Sequence, residues 1–370
     1  MPTNRKLKSD THPSLSRRRF LHVLGGGLGG ALGAAAAAGC TPQASLSSKE
    51  PPLYVDDGLG WPVFRGPYLQ RQANIAALVL DADGGTLSQL CERCLNAPAG
   101  GQVHYTPLAP YVLLLFADMI VSSLDERDRE LGWMREAELS FWLPTLAHRR
   151  LAGVWMPDHI AWFLPYLFVD NPYAIATGRE VYGFPKTFGC FEKPARMDRP
   201  ELSLDVWGFE RFGPAAEGKL QRLLEIRQAG ETGAEEEQVG LGSWDELRAR
   251  LEKVLGAGAE TLTPTPPPDL SGPDVPLVFL KQFRAAADTR RACYQAIVEA
   301  RARVQAFRKG GVLKEAYQVN FSHLESLPLP QALGLAGDDG QAGGPSVPAR
   351  TALWIELDFS LGEGVELWRA

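Results

Sequence analysis

The sequence predicts a strand-rich α+β fold, and three observations carry that reading. Short apolar runs are bounded by turn residues, several segments alternate polar and apolar side chains, and helical spacing is confined to a few stretches. Ile75-Ala76-Ala77-Leu78-Val79-Leu80 and Tyr111-Val112-Leu113-Leu114-Leu115-Phe116 are runs of the first kind, predicted as buried strands. Glu136 to Leu143 alternates with a period of two, as a strand with one wet face does. Tyr317 to Phe321 and Ala352 to Phe359 repeat that period. Thr86 to Leu95 has helical spacing. Ser243-Trp244-Asp245-Glu246 is a capping box that opens a helix through about Leu255, and Arg290 to Arg308, rich in Ala, Arg and Glu, is predicted as a second long helix. Between about residues 227 and 276 the composition turns acidic and then Pro- and Thr-rich, which predicts a surface insertion holding that capped helix and lying outside the core.

The chain has 370 residues and a net charge of -6, but the total mixes two unlike segments. Residues 1–40 hold six basic side chains and one acid, which leaves the remainder at -11. A body so acidic lacks the basic footprint that nucleic acid requires. Ser16-Arg17-Arg18-Arg19-Phe20-Leu21 followed by an uncharged Gly, Ala and Leu run reads as a twin-arginine export signal. The run ends Ala37-Ala38-Gly39-Cys40, which resembles a lipobox, so Cys40 is the expected lipidation site; plain cleavage beside small residues is the alternative. The expectation is a signal over 1–40, a tether over 41–60, and an exported domain over 61–370 held to a membrane through Cys40 or free in the periplasm.

Cys91, Cys94, Cys190 and Cys293 are too few and scattered for a disulfide scaffold. The Cys91-Glu92-Arg93-Cys94 spacing suggests zinc or redox chemistry, but Leu87, Leu90, Cys91 and Cys94 fall on one helical face and read as core. His104, His148, His159 and His323 show no paired spacing, so no metal site is predicted.

The chemistry concentrates in Gly178-Arg179-Glu180-Val181-Tyr182-Gly183-Phe184-Pro185-Lys186. Arg is the routine cation of the mature chain, which has eight lysines and none between Lys49 and Lys186. Lys186 sits among aromatic and apolar neighbours, where desolvation lowers an ammonium pKa and favours the neutral amine that carbonyl addition needs. Pro185 fixes the backbone beside it, and Gly183 and Gly189 permit close approach of neighbouring chain. These residues by themselves favour a structural lysine at a turn after a strand, its stem buried and its head wet, over a catalytic one.

The same run resembles the signature of the acetoacetate decarboxylase family, whose Schiff-base lysine follows such an element. Phe64-Arg65-Gly66-Pro67-Tyr68 and Gly132-Trp133-Met134-Arg135-Glu136 are similar to two further family elements, in the same order. The similarity spans about Trp61 to Trp368 outside the insertion. It implies a mostly antiparallel β, α+β domain, a barrel or cone with flanking helices, forming homo-oligomers and using no cofactor. Lys186 would attack the ketone of a small β-keto acid, and the imine would accept the electrons released as carbon dioxide departs. Glu136 would orient substrate or move a proton, its alternative being a solvent-facing strand residue. Arg179 and Glu180 would support the site as an ion pair, and Tyr182 and Phe184 would wall the pocket.

The family's second lysine falls on Thr187, and its carboxylate-binding arginine would fall on Ala73, with Arg71 the nearest substitute. These departures keep two alternatives open: an imine-based aldolase or dehydratase acting on a larger oxo acid, and a non-catalytic periplasmic ligand-binding protein.

Overall fold

The computed structural model describes residues 65–231, 240–250, 274–339 and 344–370. They belong to one compact unit, Gly60–Ala370. The signal over 1–40, Cys40, and the tether over 41–60 lie outside the described residues, as do residues 232–239 and 251–273 of the insertion.

The first half of the chain runs β1 (Tyr68–Asp81), α1 (Gly84–Cys91), β2 (His104–Pro107), β3 (Tyr111–Ser123), α2 (Glu126–Arg129), β4 (Met134–Leu151), β5 (Val154–Val169) and α3 (Pro172–Val181). Next come β6 (Lys186–Glu192), β7 (Leu202–Gly208), β8 (Lys219–Glu231), β9 (Gly240–Leu241) and α4, helical over 244–250. The chain closes with β10 (Asp274–Arg284), β11 (Ala292–Val312), β12 (Glu315–Phe321), α5 (Leu329–Leu333), β13 (Asp338–Asp339) and β14 (Pro345–Arg369). The pairings are antiparallel except β5–β6 and β5–β10, so the fold is α+β and mostly antiparallel.

Among the described residues all the strands join one sheet, and two further pairings, β4–β5 and β14–β11, bend part of it into a closed ring of β4, β3, β1, β14, β11, β10 and β5. Because side chains alternate across a strand, each ring strand serves two cores. Ile75 and Ala77 of β1 pack inside with Leu113, Leu164, Leu353 and Ile355. Leu78 and Leu80 pack outside with Phe116, Phe141, Val206, Leu224, Val319 and the buried face of α1. That face is made by Leu87, Leu90 and Cys91, so the CxxC spacing serves packing. Burial pushes the Cys91 thiol up to about 12, which removes the thiolate that redox or metal chemistry would use.

Two expectations from the sequence are corrected. Arg290 to Arg308 is strand, not helix: Ala292–Val312 pairs with β10 on one side and β14 on the other. Its Ala, Arg and Glu favour helix locally, but two full ladders outweigh a propensity worth tenths of a kcal/mol per residue. The insertion is also not wholly outside the core. Its first residues extend β8 and its last begin β10. The capping box forms as expected, Ser243 Oγ accepting from Glu246 N at 3.2 Å and Glu246 Oε2 accepting from Gly242 N at 2.7 Å. Leu247 of that helix is fully buried in the ring's inner core.

Candidate active site

The ring encloses a cavity of about 260 Å³. Its walls are largely apolar, with Glu136, Glu138, Lys186, Arg248 and Asp274 as the charged side chains among the lining residues described. Three of these converge. Lys186 Nζ donates to Glu136 Oε1 at 2.5 Å and lies 3.9 Å from Glu138 Oε2.

The backbone dictates this meeting. Asn171 caps α3, its side chain accepting from Tyr173 N at 3.0 Å, while Asn171 Nδ2 donates to the Arg135 carbonyl. Asp170 Oδ1 accepts from Ala137 N at 2.8 Å. The entry to α3 is thus tied to the strand residues on both sides of Glu136. At the other end of α3 the Gly178 carbonyl accepts from the amides of Tyr182, Gly183 and Phe184, which turns the chain back toward β6. Gly183 takes φ +85°, and a Cβ there would lie 2.4 Å from Lys281 Cα, so the turn needs glycine at this position. Lys186 then begins β6 and pairs with Leu167 of β5.

The lysine stem lies directly on α3. A Cβ at Gly178 would stand 2.8 Å from Lys186 Cδ and 3.0 Å from Cε. Gly178→Ala therefore displaces the ammonium from Glu136, while alanine is the better helix former by about 1 kcal/mol. We expect the strained ion pair to cost more than the helix gains, so that thermal unfolding falls, and carbonyl capture at Lys186 to slow about 10- to 100-fold, the scale of a misplacement near 1 Å. Mass-spectrometric rates of adduct formation, measured beside a melting curve, check this.

Lys186 is 8% exposed and Glu136 3%. The Glu136 strand face expected to be wet therefore faces the cavity. The electrostatics also reverse the desolvation argument. Burial, the largest single influence, pulls the Lys186 ammonium down, but Glu136 and Glu138 together outweigh it and hold the lysine above its ordinary value. The resting group is an ammonium. Burial first, and then the neighbouring charge of Glu136, push the Glu138 carboxyl up to about 7 against the pull of Lys186. Ser140 Oγ donates to Glu138 at 3.2 Å and accepts from Trp142 Nε1 at 2.8 Å. Near neutral pH the cluster thus holds the Lys186 ammonium and, at Glu138, an acid close to its midpoint, within reach of one another.

The other predicted site residues divide. Tyr182 and Phe184 line the cavity as expected. The Tyr182 hydroxyl donates to the Gly362 carbonyl at 2.9 Å, and the Phe184 ring centroid lies 5.4 Å from Lys186 Nζ. Tyr68, from the RGPY element, meets Tyr182 edge-on at 6.0 Å. Arg65 of the same element holds Asp128 through two bonds of 2.7 and 2.8 Å. Arg179 is exposed and donates to the Lys186 carbonyl at 3.2 Å, so it braces the backbone of the nucleophile and stays outside the cavity. Glu180 is exposed on the same helix and also does not line it. Arg71 is not brought to the site. Gln72 takes φ +51° at a register shift in β1; Gln70 lines the cavity on one side of it and Ile75 on the other, while Arg71 is absent from the lining. Thr187 is exposed, and Ala73 is fully buried.

Glu138 is the site residue that sequence reasoning missed. The signal was present: Glu136-Ala137-Glu138 places both carboxylates on one strand face. The histidines are less scattered than their spacing suggests, since His104 and His148 lie opposite each other across β2 and β4 with ring centroids 4.9 Å apart.

Comparison with known proteins places the architecture. The acetoacetate decarboxylase of Legionella pneumophila is similar over 86% of this chain and 92% of its own, at 13% identity and a TM-score of 0.51. An acetoacetate decarboxylase-like enzyme from Sphingomonas wittichii RW1 matches over 85% and 97% at 13% identity and TM-score 0.45. The enduracididine biosynthesis enzyme MppR matches over 83% and 90% at 13% identity and TM-score 0.47. No family model matches the sequence, and no curated protein does. By its likeness to the Legionella enzyme the fold is acetoacetate decarboxylase-like.

Proposed function

We propose that this protein is a Schiff-base lyase that uses Lys186 to decarboxylate a β-keto acid. The observation that carries the proposal is a buried lysine inside an apolar cavity with two carboxylates at 2.5 and 3.9 Å from its nitrogen. The acids supply what a buried ammonium lacks, a place to put its proton. With Glu138 ionised, transfer from Lys186 to a carboxylate frees the amine without moving charge out of the cavity. The amine attacks the ketone carbon, the oxygen leaves as water, and a protonated imine forms. The bond to the carboxyl carbon then breaks, its electron pair moves into the iminium, and carbon dioxide departs. A proton returned to the enamine carbon by one of the two acids, followed by addition of water, releases the ketone and restores Lys186.

The paired acids also favour a second reading. Aldol condensation and dehydration through the same imine need proton transfers at both the carbon and the oxygen, and Glu136 and Glu138 offer one group for each. Export by the twin-arginine route, lipidation at Cys40, a periplasmic location and self-association are proposals resting on the sequence and its resemblance alone.

Incubation with a panel of keto acids, borohydride reduction and peptide mass spectrometry tests the imine. We expect a covalent adduct on Lys186 with at least one member of the panel, accompanied by carbon dioxide if the reaction is decarboxylation. A folded sample that gives no adduct with any of them sinks the lyase and aldolase readings together and leaves a binding protein.

A further inference from the structure

The cavity is longer and drier than a four-carbon keto acid requires. At one end are Lys186, Glu136 and Glu138, beside Tyr182, whose hydroxyl reaches Gly362 of β14. At the other end is α4. The strand that leads into α4, β9, pairs with Gly310 and Gly311 of β11, and these residues face Ile355 and Trp354 of β14. Ile355 and Gly362 are seven residues apart, roughly 20 Å of strand. Along β5, Leu167, which pairs with Lys186, and Trp162, which pairs with the lining residue Leu277, are about 16 Å apart.

Between the two ends the lining is apolar, with Trp142 and Trp162 meeting edge-on at 6.0 Å. The charges at the far end are matched by opposite ones. Arg248 lies 3.4 Å from Asp245, and Asp274 holds Arg303 at 2.6 and 3.0 Å. Among the described residues that end therefore presents apolar surface and charges that are each paired, Asp274 also lying 4.0 Å from Arg301. The volume, about 260 Å³, approaches the lower end of the roughly 300–1,000 Å³ of sites that take drug-sized ligands.

We infer that the substrate is a keto acid carrying a medium to long unbranched hydrocarbon chain, its carbonyl at Lys186 and its tail running past Trp142 and Trp162 to end against Leu247 of α4. The inference rests on the Schiff-base reading for the head of the molecule and on the shape and chemistry of the cavity for its tail. The inserted helix then acts as a stop that limits chain length, a specificity role for a segment remote from the reacting atoms.

The test compares 3-oxobutanoate, 3-oxooctanoate and 3-oxododecanoate in borohydride trapping with the full chain. Each methylene buried in an apolar wall contributes roughly fourfold, so four of them give 3-oxooctanoate an advantage on the order of 100-fold over 3-oxobutanoate. Leu247→Trp, which fills the far end, lowers the ratio of 3-oxododecanoate to 3-oxobutanoate capture at least 10-fold. Equal capture of the short and long acids, or an unchanged ratio in Leu247→Trp, overturns the inference. A separate arm measures calorimetric binding of 2-undecanone and 2-propanone to Lys186→Met, which can form no imine. Preferential binding of the long ketone supports the cavity assignment even where no adduct forms on the wild-type chain, whereas equal or absent binding of both overturns it.

Discussion

Lys186→Met will form no borohydride-stable adduct with any keto acid and will lower stability by about 3–5 kcal/mol at neutral pH. That is the scale for removing one partner of a buried ion pair. The loss comes from what remains: Glu136 and Glu138 face each other in an apolar cavity without the cation that Lys186 placed between them. Deprived of that cation, the buried Glu138 carboxyl binds protons more readily than it does in the unfolded chain. The folded Glu138 value, already raised by burial, rises further without the cation that pulled it down, so the stability it allows is fully present below its unfolded value near 4.5 and is lost as pH rises through the raised one. The deficit relative to wild type will accordingly be larger at pH 8 than at pH 5. Urea unfolding of both proteins at the two pH values measures it. A deficit independent of pH would mean that lost packing of the lysine stem, not the stranded acids, sets the cost.

Glu138→Gln will remove a pH-dependent limb from catalysis and from stability together. In the wild type the Glu138 carboxyl stands at about 7, raised first by burial. A raised acid stabilises the fold fully below its unfolded value of 4.5, and that contribution, of order 3 kcal/mol, is lost as pH rises through about 7. Glutamine does not titrate. The variant will therefore gain on the wild type as pH climbs through this window and hold a constant advantage above it. Catalysis moves the opposite way. If Glu138 receives the lysine proton, imine formation in the wild type rises with pH through about 7. The variant loses that limb and slows by about 10²- to 10⁴-fold, the range for a positioned acid–base group. A pH–rate profile for adduct formation that keeps its limb near 7 at full rate in Glu138→Gln would remove Glu138 from the chemistry.

Much of this site is legible before any coordinates. A scarce lysine bracketed by aromatics, proline and glycines marks Lys186, and strand periodicity places Glu136 on a definite face of β4. Periodicity does not say what that face meets. The alternation that suggests a wet surface arises here because β4 turns Glu136 and Glu138 into an enclosed ring while Ala137, Leu139 and Phe141 pack outside it. Ring closure depends on the pairings β4–β5 and β11–β14, which join residues far apart in sequence. The lysine pKa fails for the same reason, because its dominant neighbours lie 50 and 48 residues away along the chain. Local composition also hides β11, whose residues favour helix and become strand only between two partners. The Arg71 question turns on a single residue, Gln72, whose left-handed backbone no pattern announces.

The turn that carries the nucleophile is pinned from several directions. Gly183 abuts the Lys281 backbone, Tyr182 is fastened to β14, and Arg179 holds the Lys186 carbonyl. The far wall, by contrast, is furnished in part by an inserted helix that, among the described residues, is held by its own capping box and the buried Leu247. Reactivity and selectivity are thus built from parts that can vary separately. A lineage could exchange the insertion and acquire new substrates while the lysine, its mount and its paired acids stay as they are.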